Sequence, residues 1–558
     1  MRRTRRLALF LVPLGLSIAC TSITDGTATQ CRSEEDCRRR GPEFADTTCS
    51  IDRVCVPVKS EDVQCSTNQE CSEKNGGAPF RCVPQTKRCV ALTSPECSIL
   101  LGEKQDWLSD QAIFIGMSQH KALDGTLQLF GADLARSEIR LALGGGLPAI
   151  TPGGPKRPMV IISCPVEPAP AGGFLSEVMR GWRYLSGEVK IDAAMPLLSQ
   201  TVTAATPEVL IPNGVPTIAT ASATPIVVST YQDRDLVFQM GATDTDQVPL
   251  LQSFLTDHLT PRVYADNIAP AGTPIRVQLV YASDAANGNT ADAIIKTLKW
   301  NEGKSTVENG ANFLATDVGD STDKVGNPNF NARIVSAISA ARTFQPHIVI
   351  MALAPALGAT FMVPLETQWP AGVPRPLFVS TLAAWANSVS AQIGSRDALR
   401  KRYYGLEPVS AGFDQARFDE FAIALRIKFP EMLNQNLGPQ TYYAYDAIYA
   451  LAHAIVSAGA TQLNGDVIVR GLRRLGTGPA VNANPTDLTK GFAALQSGGS
   501  ISLQGISGPL NFDEGGKRKF DAQVFCVKGT NGVASGIVRP GYKYVAATQT
   551  VTGTVNCP

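Results

Sequence analysis

Charge and histidine are what this chain has least of. Charged residues make up 18% of 558 positions, and 50 Lys and Arg face 49 Asp and Glu for a net charge of +1. A chain this close to neutral projects no long-range field toward a polyanion, so nucleic acid is not an expected partner. The four histidines, His120, His258, His347 and His453, form no metal-binding pair at helical spacing. His120 follows the first apolar strand, where a lone exposed histidine is the plainer reading and a place facing a cleft the other. A Gly-x-Ser-x-Gly nucleophile turn is missing. Gly303-Lys304-Ser305 resembles half of a phosphate loop, but Leu298 stands where the earlier glycine is required, so the backbone cradle is lost. These absences argue against an enzyme and against any metal or cofactor. Long apolar runs are missing too: the best candidate, Leu7 to Ile18, is too short to span a bilayer.

That short run is informative in its context. Arg2, Arg3, Arg5 and Arg6 precede it and Ser17-Ile-Ala-Cys20 closes it, the pattern of an export signal over residues 1–19. It resembles a bacterial lipoprotein signal with Cys20 as the lipidated residue, although Ser17 stands where Leu is commoner; an ordinary cleaved signal ending in Cys is the alternative. Thr21 after the cysteine resembles lipoproteins sent to the outer membrane. The expected location is periplasm or cell surface, membrane-anchored.

Export makes the cysteines readable. Of 13, Cys20 leaves an even twelve in a compartment where disulfides persist. Eight fall into a tandem repeat, Cys31, Cys37, Cys49 and Cys55, then Cys65, Cys71, Cys82 and Cys89, in units too poor in large apolar side chains to hold a core unaided. Two disulfide-knotted modules (31–55 and 65–89) within residues 20–97 are expected, with pairing open. Zinc fits poorly, because its structural sites favour cysteines two to four residues apart. The repeat loosely resembles cysteine-rich repeats at the start of exported proteins of some predatory and social bacteria. Of the other four, Cys97 precedes the first lobe strand and Cys164 follows the second, so a bridge would pin the incoming segment. A Cys526–Cys557 bridge would staple back the C-terminal tail, 531–558.

The rest exceeds one ordinary core, since cores stop growing near ~250–300 residues. Short apolar strands alternate with helical stretches: Ile113–Met117, Met159–Ser163, Val189–Ala193, Val215–Ala219, Arg276–Tyr281, Ile348–Leu353 and Leu377–Thr381, with helices such as Phe130–Leu141 and Gln247–His258 between them. This predicts an α/β fold of doubly wound parallel sheets. Ser98 to Gln111 reads as a connector, and the Gly- and Pro-dense stretch Gly144 to Pro158 as an irregular rim insertion. Strand ends open into hydroxyl-rich turns, above all Thr220-Ala-Ser-Ala-Thr-Pro225 and Gly241-Ala-Thr-Asp-Thr-Asp-Gln247.

These stretches, with Ile275 to Gly288, Phe344 to Leu353, Tyr445 to Gly459 and Gly505 to Gly516, resemble in order the type I periplasmic solute-binding proteins, over roughly residues 111 to 530. The resemblance implies two lobes joined by three crossovers near Thr243, Pro408 and Gly505. Lobe one would be 111–243 with 410–505, and lobe two 244–409 with 506–530. It implies a ligand shell of Ser199, Gln200 and Thr201, then Ser222, Ala223 and Thr224, with Asp244, Asn287 and Trp385. Capping is the competing role for Ser222 and Thr224, and for Asp244 within a capping box ending at Gln247. Where amino-acid receptors often place an aromatic ring and a second acid, this chain has Ala354-Pro-Ala-Leu-Gly358 and Ser380-Thr-Leu-Ala-Ala-Trp385, so the ligand need not be a standard amino acid. The expected function is capture of a small polar or amphipathic molecule for an ABC importer. The alternative is a sensory or adhesive surface lipoprotein acting through its cysteine-rich head.

Overall fold

Runs of β-branched and aliphatic residues too short for helices fold into two separate sheets. The computed structural model describes 64–121, 123–166, 173–196, 205–220, 235–243, 245–283, 285–319, 328–353, 355–381, 386–410, 412–435, 437–459 and 463–557, with scattered positions among 31–57. The first sheet contains β1 (Ile99–Leu101), β2 (Ile113–His120), β3 (Met159–Val166), β4 (Ala193–Pro196), β5 (Thr217–Ala219) and β6 (Val237–Gln239). Their order is β6-β5-β4-β2-β3-β1, parallel except for β1, which runs antiparallel along β3. The second contains β7 (Val277–Tyr281), β8 (Phe313–Asp317), β9 (Ile348–Ala352), β10 (Leu377–Ser380), β11 (Tyr403–Ser410), β12 (Phe520–Thr530), β13 (Val533–Val538), β14 (Lys543–Val545) and β15 (Thr550–Thr552). Its order is β8-β7-β9-β10-β11-β12-β14-β15, with β13 paired to β12. Strands β7 to β11 are mutually parallel and β12 returns antiparallel.

Each sheet is buried on both faces, which is why its strands read as continuous apolar runs. In the first, Ile113, Ile115 and Met117 face one core and Phe114 the other, as alternation along a strand requires. In the second, Leu279 and Ile350 face one core while Val280 and Met351 face the other.

Helices of the first lobe include α1 (Leu123–Ala142), α2 (Gln415–Lys428) and α3 (Pro439–Ala458). The α3 sequence is apolar all round, the mark of a helix enclosed by neighbours, and Thr441 through Val456 are buried without interruption. Its limits are written in Pro439 at the first helical position and Gly459, whose φ of 59° closes the helix in the left-handed region. Close approach to α1 depends on Gly131, where a Cβ would lie 2.1 Å from the Thr441 carbonyl oxygen. Polar links fix the crossing: the Tyr445 and Tyr449 hydroxyls donate to Glu138 Oε2 at 2.6 and 2.9 Å.

The two cysteine modules share one pairing, first to third and second to fourth. Within Met1–Val58 the bonds are Cys31–Cys49 and Cys37–Cys55, around a hairpin of Thr47–Cys49 with Cys55–Pro57. Cys65–Cys82 and Cys71–Cys89 repeat the arrangement around a hairpin of Phe80–Val83 with Arg88–Ala91. Clusters such as Cys65, Cys71 and Cys82 bring their sulfurs together, but those sulfurs are spent in disulfides. This second module is built into the first lobe. The Arg81 guanidinium donates to the Val189 and Lys190 carbonyls at 3.0 and 2.6 Å and lies 4.4 Å from the centre of the Phe114 ring. Asn68 Nδ2 donates to Ser109 O at 2.8 Å.

Several boundaries differ from the sequence expectation. The stretch expected as a strand at Val189–Ala193 ends a helical turn: Lys190 has φ 58° and the strand starts only at Ala193. Ser98–Gln111 is not a plain connector, since it holds β1 and a helix, Lys104–Leu108. Residues 531–558 are not a tail but supply β13, β14 and β15, with Cys526 bonded to Cys557. The last passage between cores falls later than Gly505: Leu510 and Phe520 still pack in the first lobe and Ala522 is the next residue in the second.

Candidate functional site

Parallel strands deliver their carboxyl ends to one edge of a sheet, and in open α/β folds ligands gather there. In this chain both sheets send their crossovers from that edge. After β6 the chain leaves the first sheet, and Val248 already packs in the second lobe. After β11 it returns, and Phe421 of α2 packs in the first. The carboxyl edges of the two sheets therefore flank the hinge.

The hinge is tied by buried charge. The Asp446 carboxylate, on α3, accepts the Ile506 and Ser507 amides at 3.0 and 2.9 Å and the Ser507 hydroxyl at 2.5 Å. Arg518 donates to Ser507 O at 2.6 Å, Ser507 Oγ at 2.8 Å, Met240 O at 2.9 Å and Pro509 O at 3.0 Å. Two crossovers are thus fastened to each other and to α3. Burial pushes the Asp446 carboxyl up, and the three donors with Arg518 pull against it. Gly505 must lack a side chain here, because its Cβ would lie 2.4 Å from Asp446 Oδ2.

At the first crossover the Thr243 amide donates to Asp246 Oδ2 at 2.7 Å; the capping box expected between Asp244 and Gln247 rests on Asp244, which lies outside the described residues. Burial raises the Asp246 carboxyl to about 6, against the Thr243 hydrogen bonds and the Lys517 charge.

Every expected ligand-shell side chain lies outside the described residues. Ser199, Gln200 and Thr201 follow the end of β4, Ser222, Ala223 and Thr224 follow β5, and Trp385 follows β10. Asp244 lies between the described Thr243 and Thr245; Asn287 is in the helix Ala285–Thr297, its side chain outside the described set. Cys20 and the His120 side chain also lie outside it. Gly303-Lys304-Ser305 belongs to a hairpin, Lys299–Trp300 with Lys304–Ser305, in which Trp300 is buried and the exposed Lys304 pairs with Glu302 at 3.3 Å.

Sequence reasoning missed polar groups on the strands themselves. Ser118 and Gln119 close β2, Thr220 follows β5 and Thr206 begins the turn after β4; all are buried. Ser118 Oγ, Gln119 Oε1, Thr206 Oγ1 and Thr220 Oγ1 have no hydrogen-bond partner among the described residues. Buried polar atoms usually have a partner, and the described residues supply none for these four. The signal was the polar run Ser118-Gln119-His120 ending an apolar strand. On the second sheet the edge carries Tyr281 beside its register partner Asp317, and burial with that carboxylate pushes the Tyr281 phenol up.

Residues 382–530 match the receptor family ligand binding region. No curated protein matches the chain. Among solved structures, a fatty acid ABC transporter substrate-binding protein from Thermomonospora curvata aligns at TM-score 0.50 and 14% identity, over 80% of this chain and 93% of its own. A branched-chain amino acid transporter substrate-binding protein from Streptococcus pneumoniae, solved with isoleucine, gives 0.48 and 16% over 77% and 100%. A solute-binding protein from Rhodopseudomonas palustris BisB5, solved with 3,4-dihydroxybenzoic acid, gives 0.47 and 12% over 78% and 98%.

Proposed function

We propose, for a chain with the type I periplasmic binding fold, that it captures a small polar or amphipathic organic molecule between its lobes without transforming it. The observation that carries this reading is the set of buried polar atoms of Ser118, Gln119, Thr206 and Thr220, at the carboxyl edge beside the hinge, that have no partner among the described residues. A guest bonded to that edge and to the second sheet holds the lobes together, and the closing free energy is its differential affinity for closed over open. Hydroxyl and amide acceptors suit a ligand bearing donors. The hydroxyl-rich segments after β4 and β5, with Ser199, Thr201, Ser222 and Thr224, would add donors for a carboxylate. Asp244 would meet an ammonium, and Trp385 would give the second lobe an apolar platform.

Delivery to an ABC permease and anchoring through a lipid on Cys20 complete the proposal. The T. curvata protein, which aligns at a TM-score of 0.50, is named as a fatty acid ABC transporter substrate-binding protein.

The test is a thermal-shift screen of amino acids, amides, peptides and aromatic acids on the chain from Thr21 onward. Starting there keeps the second module, which is part of the first lobe. A ligand at 100 times its Kd stabilises by ~2.7 kcal/mol. The double change Ser118→Ala with Thr220→Val should cut that shift sharply, and Asp244→Ala should abolish it for aminated ligands alone. A screen without a single shift, or a shift indifferent to all three changes, would reject the reading.

A further inference from the structure

The opposite, amino edge of the first sheet holds a cavity of about 710 Å³, within the range of small-molecule sites. It lies where β2, β4 and β5 begin, far along the strands from the crossovers, and the second cysteine module forms part of its wall through Arg81, Pro84 and Gln85. The Gly- and Pro-dense stretch expected as a rim insertion lies here: Leu147 bridges to Arg157, and Ile150 and Arg157 both line the cavity.

Arg157 is the feature that needs an explanation. It is 4% exposed. Its Nε donates to Pro148 O at 2.9 Å, but Nη1 is buried with no partner, and no carboxylate among the described residues pairs with it. A buried guanidinium without an anion carries a desolvation cost that the single bond to Pro148 O offsets only in part. Arg81 on the facing wall differs, because it is bonded to two carbonyls and has Asp192 nearby.

We propose that this cavity is a second ligand site, taking an amphipathic monocarboxylate whose carboxylate is bound by Arg157. The apolar body rests on Ile113, Ile150, Ile191, Val215 and Leu463. Asp110, Asp192 and Asp466 line the same space and repel added negative charge, so one carboxylate held by Arg157 is favoured over a dianion.

Equilibrium dialysis of the full-length chain with octanoate, and with inorganic phosphate as the comparison anion, tests this. Saturable octanoate binding with little phosphate binding is expected. Arg157→Gln should weaken octanoate by at least about tenfold, while Ser118→Ala with Thr220→Val at the other edge should leave it unchanged. Ile150→Trp, which fills the apolar half from a half-buried loop position, should weaken it too, so a poorly folding Arg157 variant does not decide the matter. Absence of octanoate binding, equal binding of phosphate, or octanoate affinity that follows the Ser118 and Thr220 changes rather than Arg157 would overturn the proposal. None of these results depends on whether the cleft binds its own ligand.

Discussion

Asp246 stands where the chain leaves the first lobe, and burial holds its carboxyl at about 6 from an ordinary 3.8. An acid whose folded pKa is raised favours the protonated form in the native state. Its contribution is therefore fully present below about pH 4 and is lost as pH rises through about 6, because the unfolded chain ionises freely while the folded one resists. The difference is on the order of 3 kcal/mol. Asp246→Asn keeps an acceptor for the Thr243 amide but cannot ionise. The variant should match the native protein in urea-unfolding stability at pH 4 and exceed it by that order above pH 7. An equal gap at both pH values would mean that Asp246 acts only through packing.

At the scale of elements, α1 and α3 meet where Gly131 leaves room for the Thr441 carbonyl. Gly131→Ala should destabilise by about 1–3 kcal/mol, the usual cost of overpacking. Gly187, with open space around its Cβ position, is the control: alanine there should be neutral or gain up to ~1 kcal/mol through the unfolded chain. Chemical denaturation of both variants checks the pair, and equal losses would refute the close-contact argument. Such elements were unevenly legible. Ile348–Leu353 and Leu377–Thr381 were readable to within a residue because buried parallel strands are unbroken aliphatic runs. The strand Ala193–Pro196 was misplaced because Ala-Ala-Met-Pro has no β-branched residue, and the preceding Val189 and Ile191 imitate a strand. Ser118 and Gln119 escaped notice because a polar strand end looks like a loop until the register with β3 and β4 places it. The hinge bonds run from Arg518 to Met240, 278 apart in sequence, and from Ser507 to Asp446, 61 apart, and neither charged residue shows a local pattern.

At the scale of the whole molecule, one covalent link decides how the second cysteine module and the first lobe hold together. Cys97 ends the module and bonds to Cys164 in the interior of β3, both sulfurs buried, closing a loop of separation 67. Gly181 admits the link: a Cβ there would lie 3.1 Å from Cys164 Sγ. Restricting a loop of that size in the unfolded chain contributes roughly 4 kcal/mol in the chain-entropy account. Arg81, Asn68 and the Tyr184 hydroxyl, which donates to Ala91 O, supply a non-covalent contact that survives without it. The paired change Cys97→Ser with Cys164→Ser should therefore lower non-reducing urea stability by about that amount and still yield a folded chain. It should weaken octanoate at the amino edge, because the module that carries Arg81 then moves more freely over the cavity. Unchanged octanoate affinity would show that the non-covalent contacts alone hold Arg81 in place.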